Sequence, residues 1–155
     1  MELADLNAVL GEVIAAESGY EREIATALQA GEIPVRMHPL SIKRALANMV
    51  VNAARYGNGW IKVSSGSEAS RAWFQVEDDG PGIKPEQRKH LFQPFVRGDS
   101  ARSTSGTGLG LAIVQRIIDN HNGMLEIGTS ERGGLSIRAW LPVPFTRAQG
   151  ITKDV

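Results

Sequence analysis

The sequence predicts an α+β fold, a two-layer sandwich in which helices cover one face of a mixed, mostly antiparallel sheet. Two observations predict this class. Two long segments carry apolar residues at helical spacing, and the alternating apolar runs fall into hairpins instead of alternating strictly with helices. The 155 residues are 42% hydrophobic, which is enough to fill one core and excludes wholesale disorder. We assign one domain to residues 1–146 and a flexible polar tail to residues 147–155.

The N-terminal third is expected to contribute one helix and two short strands. Residues 3–17 carry apolar side chains at helical spacing and predict an amphipathic helix. Residues 21–28 and 32–37 predict strands, which the turn-forming pair Ala30 and Gly31 separates.

The clearest helix in the chain covers residues 41–56 and ends at the glycine-rich residues 57–59. Its apolar stripe consists of Ile42, Ala45, Leu46, Met49, Val50 and Ala53. Residues 60–63 and 72–76 then alternate in polarity and predict a β-hairpin whose turn lies near Gly66. The strong stripe predicts that this helix packs on the sheet.

The C-terminal half is expected to hold two more helices and a second hairpin. Residues 85–92 predict a short helix, and residues 109–121 predict a long one. Between them, residues 96–107 are polar and rich in glycine and serine, which is typical of a mobile loop. Residues 124–127 and 135–143 predict the final hairpin.

Charge and composition exclude several classes of function. Lys and Arg together number 17, as do Asp and Glu, so the formal net charge is zero. This balance argues against non-specific binding of nucleic acid, which requires an excess of positive charge. The absence of cysteine excludes disulfides, thiol catalysis and zinc–thiolate sites. No apolar run approaches the ~18 residues of a membrane span, and the acidic start lacks the basic lead of a signal peptide. We therefore expect the chain as given to be soluble.

Four polar residues lie on one face of the helix at residues 41–56. Asn48 and Asn52 are four residues apart, and Arg55 and Tyr56 follow one turn later. This strip is compatible with an ordinary solvated helix face. It is equally compatible with a site in which amide oxygens bind Mg²⁺, Arg55 meets phosphate and Tyr56 packs near a base.

A glycine-containing loop, residues 78–83, follows directly on the second strand of the first hairpin. It is compatible with a simple Asp-Gly turn. Alternatively, the missing side chains of Gly80 and Gly82 leave room for a flat ligand, and the carboxylate of Asp78 accepts a hydrogen bond from an exocyclic amine such as that of adenine. A wrong base would leave this acid without a partner.

Residues 106–111 lead straight into the helix at 109–121. Backbone amides at a helix start form a natural phosphate cradle, although a structural turn is the competing interpretation. The segment is not a Walker A loop, since the Gly-Lys-Ser/Thr ending is absent, and it lacks the third glycine of a dinucleotide fingerprint. Earlier in the chain, Phe92 and Phe95 are expected to anchor the polar loop by core packing, and Arg97 could reach phosphate while Arg102 fits a solvated loop charge.

The remaining titratable residues carry no functional signal in the sequence. His38, His90 and His121 are far apart along the chain and fit neither a metal cluster nor a catalytic pair. Asp5, Asp99 and Glu126 are interpreted as surface residues.

The four motifs occur in one order: Asn48-x-x-x-Asn52, Asp78-x-Gly80-x-Gly82, Phe92-x-Pro94-Phe95 and Gly106-x-Gly108-x-Gly110. This set resembles the N, G1, F and G2 boxes of the catalytic ATP-binding domain of sensor histidine kinases, in the superfamily shared with gyrase B, Hsp90 and MutL. Longer runs, residues 48–58, 87–102 and 128–141, resemble an osmosensing member of that family. The resemblance implies the family's α/β sandwich, the Bergerat fold, over nearly the whole chain.

The resemblance also implies a set of site residues. Asn52 would be the Mg²⁺ ligand, Asp78 the adenine anchor and residues 96–107 the ATP lid. Catalytic roles would fall to Asn52, Arg55 and Arg97. The residues expected to bind ATP are Asn48, Asn52, Ala53, Ala54, Arg55, Tyr56, Asp78, Gly80, Gly82, Ile83, Phe95, Arg97, Gly98, Gly106, Thr107, Gly108, Leu109, Gly110 and Leu111.

One contrast within the superfamily bears on the activity. The ATP-hydrolysing members resemble one another in carrying a Glu where this chain has Asn48, and an amide cannot act as general base for water. No histidine here fits the family's phospho-acceptor box, because His38 precedes Pro39 and neither of the others is followed by an acidic residue. The expected nucleophile is therefore a histidine on a separate dimerisation domain.

The implied setting is a two-component system. The partners would be the His-bearing dimerisation domain of the same kinase and an OmpR-like response regulator, with no nucleic acid. The isolated chain would be a monomer and the full-length kinase a homodimer, with this domain on the cytoplasmic side of the inner membrane. Two alternatives remain open: an ATPase or clamp of the gyrase/Hsp90 kind, and a nucleotide-binding module without catalysis.

Overall fold

The computed structural model describes residues 1–19, 22–88, 90–92 and 110–143. Its elements are β1 (Glu2–Asp5), α1 (Leu6–Glu17), β2 (Ile24–Ala27), β3 (Pro34–Met37), α2 (Pro39–Tyr56), β4 (Ile61–Glu68), β5 (Arg71–Asp78), α3 (Pro85–Arg88), α4 (Gly110–Asn120), β6 (Met124–Thr129) and β7 (Leu135–Pro142). Within these described residues, no helix is both long enough and apolar enough to cross a lipid bilayer.

The main sheet has five strands in the order β2-β4-β5-β7-β6. β2 runs parallel to β4, and every other pairing in the sheet is antiparallel. β1 and β3 form a separate two-stranded antiparallel sheet. Helices α1, α2 and α4 pack with one face of the main sheet in a single hydrophobic core. The predicted fold class, an α+β sandwich with a mixed and mostly antiparallel sheet, is confirmed.

Helix α2 lies at the centre of this core. Pro39 occupies its first turn, where no intrahelical N–H bond is lost, and Gly57 ends it by donating to the carbonyl of Ala53 at 2.8 Å. The predicted apolar stripe is the buried face: Ile42, Ala45, Leu46, Met49, Val50 and Ala53. It meets the buried α4 residues Leu111, Val114, Ile117 and Ile118. The polar strip of α2 therefore lies beside the core.

The predicted helix over residues 3–17 is wrong in its first turn. Residues Glu2–Asp5 form β1, and the helix begins at Leu6. The chain changes from strand to helix after Asp5. Oδ1 of Asp5 accepts hydrogen bonds from the backbone N–H of Asn7 at 3.1 Å and of Ile33 at 2.8 Å. Asp5 thus caps α1 and joins it to the loop before β3. It is a structural residue, and the surface interpretation of Asp5 is wrong.

The turn of the first hairpin also differs from the prediction. β4 continues to Glu68, the chain reverses at Ala69 and Ser70, and Gly66 lies inside the strand. A Cβ at Gly66 would come within 2.5 Å of the indole ring of Trp73 on the paired strand. This glycine therefore serves the close approach of an aromatic ring and not a reversal of the chain.

Two of the three histidines, far apart in sequence, meet at the end of α4. The backbone N–H of His38 donates to Nε2 of His121 at 3.0 Å, and Nδ1 of His121 lies 2.8 Å from the carbonyl of Ile117. The rings of His38 and His121 are edge to face, with centroids 5.5 Å apart. Both ring nitrogens of His121 are satisfied when the imidazole is neutral with its proton on Nδ1. His121 therefore ties the end of α4 to the start of α2.

The burial of His121 predicts that the stability of the fold decreases at acidic pH. His121 is 3% exposed. Burial lowers the pKa of His121 below its ordinary value of 6.5, with a further contribution from His38, and these outweigh the opposing bond to Ile117. As the pH falls, the unfolded chain therefore binds more protons at this position than the folded one does. The contribution of neutral His121 to the free energy of unfolding is fully present above pH 6.5 and is lost as the pH falls.

We expect the free energy of unfolding in urea to decline between pH 7.5 and pH 5.5 in the unsubstituted chain. His121→Leu should be less stable at pH 7.5 by about 1–3 kcal/mol, because the N–H of His38 loses its acceptor, and its pH dependence should be flatter. Arg44→Ala at an exposed position of α2 is the control and should retain the original slope, because Arg44 does not titrate in this pH range. An unchanged slope in His121→Leu would contradict the assignment.

Candidate functional site

A cavity of about 320 Å³ lies between α2, the loop after β5 and the start of α4. A volume of this size is typical of small-molecule sites. Fourteen described residues line it: Asn48, Val51, Asn52, Arg55, Tyr56, Asp78, Pro81, Gly82, Ile83, Gln87, Leu91, Gly110, Leu111 and Leu135. Nine of the predicted site residues are among them, so the structure brings three of the four sequence motifs to one place.

The α2 wall of the cavity is polar. Asn48, Asn52 and Arg55 follow one another at spacings of four and three residues and line the cavity together with Tyr56. The side chains of Asn48 and Asn52 are half-buried, and neither makes a hydrogen bond to another described residue. Among the described residues Arg55 has no ion-pair partner. These amides and this guanidinium are therefore available to a ligand.

The cavity is also lined by a buried carboxylate. Asp78 is the last residue of β5 and is 3% exposed. Its Oδ1 accepts from the backbone N–H of Gly80 at 2.9 Å and of Leu135 at 3.0 Å. No described residue donates to Oδ2. A buried acid that accepts two amide hydrogens at one oxygen and none at the other is oriented by the protein and still able to accept a bond from a ligand.

The neighbouring Asp79 has a structural task. Its Oδ1 accepts from the backbone N–H of Asn58 at 2.7 Å and of Trp60 at 3.2 Å, and its carbonyl accepts from the Asn58 side chain at 3.0 Å. Burial raises the pKa of Asp79, but these amides and the nearby Arg132 outweigh that effect and hold the pKa below its ordinary value of 3.8. Asp79 thus joins the end of α2 to the end of β5.

The two glycines of this loop act differently. Gly82 lines the cavity and has a φ of +76°, a left-handed conformation that favours glycine. Gly80 does not line the cavity; a Cβ there would overlap the carbonyl of Tyr56 at the end of α2. The missing side chain of Gly80 is therefore required by the packing of the protein, whatever ligand binds.

Apolar side chains form the rest of the lining, and several were not predicted. Ile83 and Leu111 were expected at the site, whereas Val51, Pro81, Gln87, Leu91 and Leu135 were not. Val51 could have been found, since it lies three residues after Asn48 and four before Arg55 on the same helix. Leu135 has no local signal, because a hairpin 57 residues beyond Asp78 supplies it.

Other predicted site residues lie elsewhere. Ala53 is buried in the core, and Ala54 packs against that core; neither lines the cavity. Several predicted residues lie outside the described part of the chain, as does the predicted lid, residues 96–107: Phe95, Arg97, Gly98, Gly106, Thr107, Gly108 and Leu109.

The family model described as histidine kinase-, DNA gyrase B- and HSP90-like ATPase matches residues 37–145. The chain belongs to this family. The match includes α2, the loop after β5 and the start of α4, which together form the cavity. The family domain binds ATP, and the predicted resemblance to the catalytic domain of sensor histidine kinases is confirmed.

Individual relatives agree with this assignment. The NMR structure of the histidine kinase domain of the Escherichia coli osmosensor EnvZ is 89% identical, with a TM-score of 0.77, and the match covers 97% of this chain and 93% of that one. The mycobacterial sensor histidine kinase MprB is 26% identical, with a TM-score of 0.78 over 92% of this chain and 97% of that one. The sensor histidine kinase CpxA of Escherichia coli is 42% identical over 115 residues, 73% of this chain.

The chain spans 25% of the length of CpxA, so it corresponds to one part of that protein. Its described residues contain no group of three or more His, Cys, Asp or Glu that could hold a metal ion. The cavity offers neutral amide oxygens, one guanidinium and one oriented carboxylate.

The packing of Gly80 gives a direct test of how the site is built. Gly80→Ala should lower the free energy of unfolding by about 1–3 kcal/mol, because the new methyl group overlaps the backbone at the end of α2. Gly128→Ala is the matched control, since a Cβ there has no neighbour within 4 Å. Equal stabilities of the two variants in a denaturant titration would show that the loop does not pack as described.

Proposed function

We propose that this domain binds Mg-ATP in the described cavity and donates the γ-phosphoryl group to a histidine on a separate dimerisation domain of the same kinase. One observation carries the proposal: the same cavity is lined by an oriented carboxylate and by unengaged amides with a guanidinium. The carboxylate, at the proposed base end, and the amides with the guanidinium, at the proposed phosphate end, offer the complementary chemistry of a purine base and of a triphosphate.

The base end is supported by Asp78. Its Oδ2 accepts no bond from a described residue, so it is available to the exocyclic amine of adenine. Guanine carries a carbonyl at the corresponding position, which would leave a buried carboxylate facing an acceptor. Such a mismatch costs more than the loss of one exposed hydrogen bond because the acid cannot turn to water. Ile83 and Leu135 supply apolar surface beside this end of the cavity.

The phosphate end is supported by α2 and by the start of α4. The amide oxygens of Asn48 and Asn52 are hard ligands of the kind that Mg²⁺ accepts beside water and phosphate oxygens, so the residues present fit this ion, with Asn52 as the proposed ligand. When bound, the ion neutralises phosphate charge. Gly110 opens α4, an 11-residue helix whose N-terminus favours an anion. The proposed glycine-rich cradle, residues 106–111, would precede and enter this turn.

The chemistry proposed for the domain is positioning and charge neutralisation. Phosphoryl transfer requires little covalent work from the protein, and Arg55, with Arg97 as a second candidate, would stabilise charge that develops at the γ-phosphate. Among the described lining residues, Asp78 is the only one with a carboxylate or an imidazole, and its place is at the base end. The lack of a general base at position 48 and elsewhere among the described lining residues, Asp78 apart, favours transfer to another domain over hydrolysis.

The wider setting is part of the same proposal. The acceptor would be a His-bearing dimerisation domain of the kinase, which works as a homodimer, and an OmpR-like response regulator would receive the phosphoryl group. The domain would lie on the cytoplasmic side of the inner membrane. Support comes from the relatives, which are described as sensor kinases, and from the 89% identity to the kinase domain of an osmosensor. Osmosensing is proposed on that identity.

The metal assignment predicts a magnesium-dependent loss in one variant. Asn52→Ala should weaken ATP binding about tenfold in the presence of Mg²⁺, the scale of one interaction with a charged group, and should bind like the unsubstituted chain in EDTA. Arg44→Ala on the exposed face of the same helix is the control. Calorimetric titrations measure the six affinities, those of the three proteins with Mg²⁺ and with EDTA. The assignment fails if Asn52→Ala binds Mg-ATP with unchanged affinity.

A transfer experiment distinguishes a kinase from an ATPase or a binding module. The chain is mixed with a separately made His-bearing hairpin and ATP labelled at the γ-phosphate. We expect slow phosphate release by the chain alone and label on the hairpin histidine at a rate that rises with hairpin concentration until saturation.

The variants in this assay test the role of Arg55. Arg55→Ala should reduce the transfer rate by more than it reduces ATP affinity, since its effect lies in the transition state, whereas Arg44→Ala should change neither. Rapid phosphate release without labelled hairpin would support the ATPase alternative. ATP binding with neither release nor transfer would support the binding module.

A further inference from the structure

The turn between β6 and β7 holds the base-end carboxylate in place, although no sequence motif marks this turn. Residues 130–134 connect the two strands and fold on themselves. The N–H of Ser130 donates to the carbonyl of Gly134 at 2.8 Å, and the N–H of Gly133 donates to the carbonyl of Ser130 at 3.0 Å. Gly133 has a φ of +84°, which favours glycine at this position. The turn is therefore a closed, internally bonded unit.

Ser130 is the centre of this unit. Its Oγ accepts from the N–H of Arg132 at 3.1 Å and of Gly134 at 3.0 Å, and it donates to the carbonyl of Asp78 at 2.6 Å. A hydroxyl has one hydrogen to donate and two lone pairs to accept with, so its capacity is filled. The residue is 6% exposed. Its hydroxyl direction is therefore set by the turn and points at Asp78.

The same turn contacts the side chain of Asp78. Regular pairing of β5 with β7 ends at Glu77 and Ser136, and the next bond runs from the N–H of Leu135 to Oδ1 of Asp78 at 3.0 Å. A Cβ at Gly134 would overlap both the carbonyl and the carboxylate of Asp78. Main chain and side chain of Asp78 are thus held from one side by one turn.

Three further contacts attach the turn to β5, to β4 and to Trp60, the residue before β4. The N–H of Glu131 donates to Oε1 of Glu77 at 2.9 Å, and Oε1 of Glu131 forms an ion pair with Lys62 at 3.0 Å. The guanidinium of Arg132 lies 4.4 Å from the ring centroid of Trp60. Because the turn is attached at these points as well, its contact with Asp78 cannot shift without breaking them.

We propose that Ser130 is a positioning residue for nucleotide selection. By fixing the main chain at Asp78, its hydroxyl directs Oδ2 towards the cavity, and the discrimination between purines with and without an exocyclic amine depends on it. This inference rests on the proposed function, in which Asp78 recognises adenine. It assigns the base specificity to a turn 52 residues further along the chain.

The test compares the affinity for ATP with that for purine riboside triphosphate, which lacks the amine. The dissociation constant of purine riboside triphosphate divided by that of ATP measures discrimination by Asp78. This ratio is insensitive to a general loss of binding. Ser130→Ala should lower this ratio about three- to tenfold, the scale of one hydrogen bond. Ser136→Ala is the matched control, because this serine is 8% exposed and its side chain makes no hydrogen bond to Asp78 or to the turn among the described residues.

A second substitution guards against misfolding. Ser130→Cys keeps the side-chain volume but donates weakly, so it should lower the ratio in the same direction if Ser130→Ala does not fold. A ratio unchanged in both variants, with Asp78→Asn losing the discrimination, would overturn the role of Ser130 alone. Equal affinities of the unsubstituted chain for both triphosphates would instead overturn the assignment of Asp78, and with it both proposals.

Discussion

The structure depends most on the pair of backbone hydrogen bonds to Oδ1 of Asp78. One comes from Gly80 in the loop that follows the same strand, and the other comes from Leu135 at the start of the last strand. A carboxylate that is 3% exposed needs such partners, because an unpaired buried acid is costly. The bonds therefore stabilise the junction of β5, its loop and the β6–β7 turn, and they leave the second oxygen without a donor among the described residues.

Helix α2 contributes both to the core and to the cavity. Its apolar stripe occupies the centre of the core, and Asn48 and Asn52, which lie beside that stripe on the helix surface, line the cavity. Packing of the stripe fixes the rotation of the helix about its axis, because a rotation would expose Leu46 and Met49. The direction of Asn48 and Asn52 is therefore set by hydrophobic burial, and the ligand does not have to order them.

Much of this could be predicted from local sequence pattern. Helix α2, the loop that contains Asp78 and the final hairpin all have short-range signals: a 3.6-residue period, an Asp-Gly pair and alternating polarity. The features that escaped prediction depend on long-range contacts. Asp5 ends a strand because Ile33 donates to it, Ser130 and Leu135 reach Asp78 across 52 and 57 residues, and His121 meets His38 across 83. Contacts between residues so far apart in the chain leave no periodic pattern in a single sequence, so they cannot be predicted from it.

The parallel pairing of β2 with β4 has a consequence for where the domain can be divided. The family match begins at residue 37, yet β2 and the buried α1 residues Leu6 and Leu10 precede it. A fragment cut at residue 37 would lose the cover of α1 and leave the backbone of β4 unpaired along one side. An uncovered sheet edge beside exposed core is a template for intermolecular strand pairing. Such a fragment would keep every proposed ligand residue and be prone to aggregation.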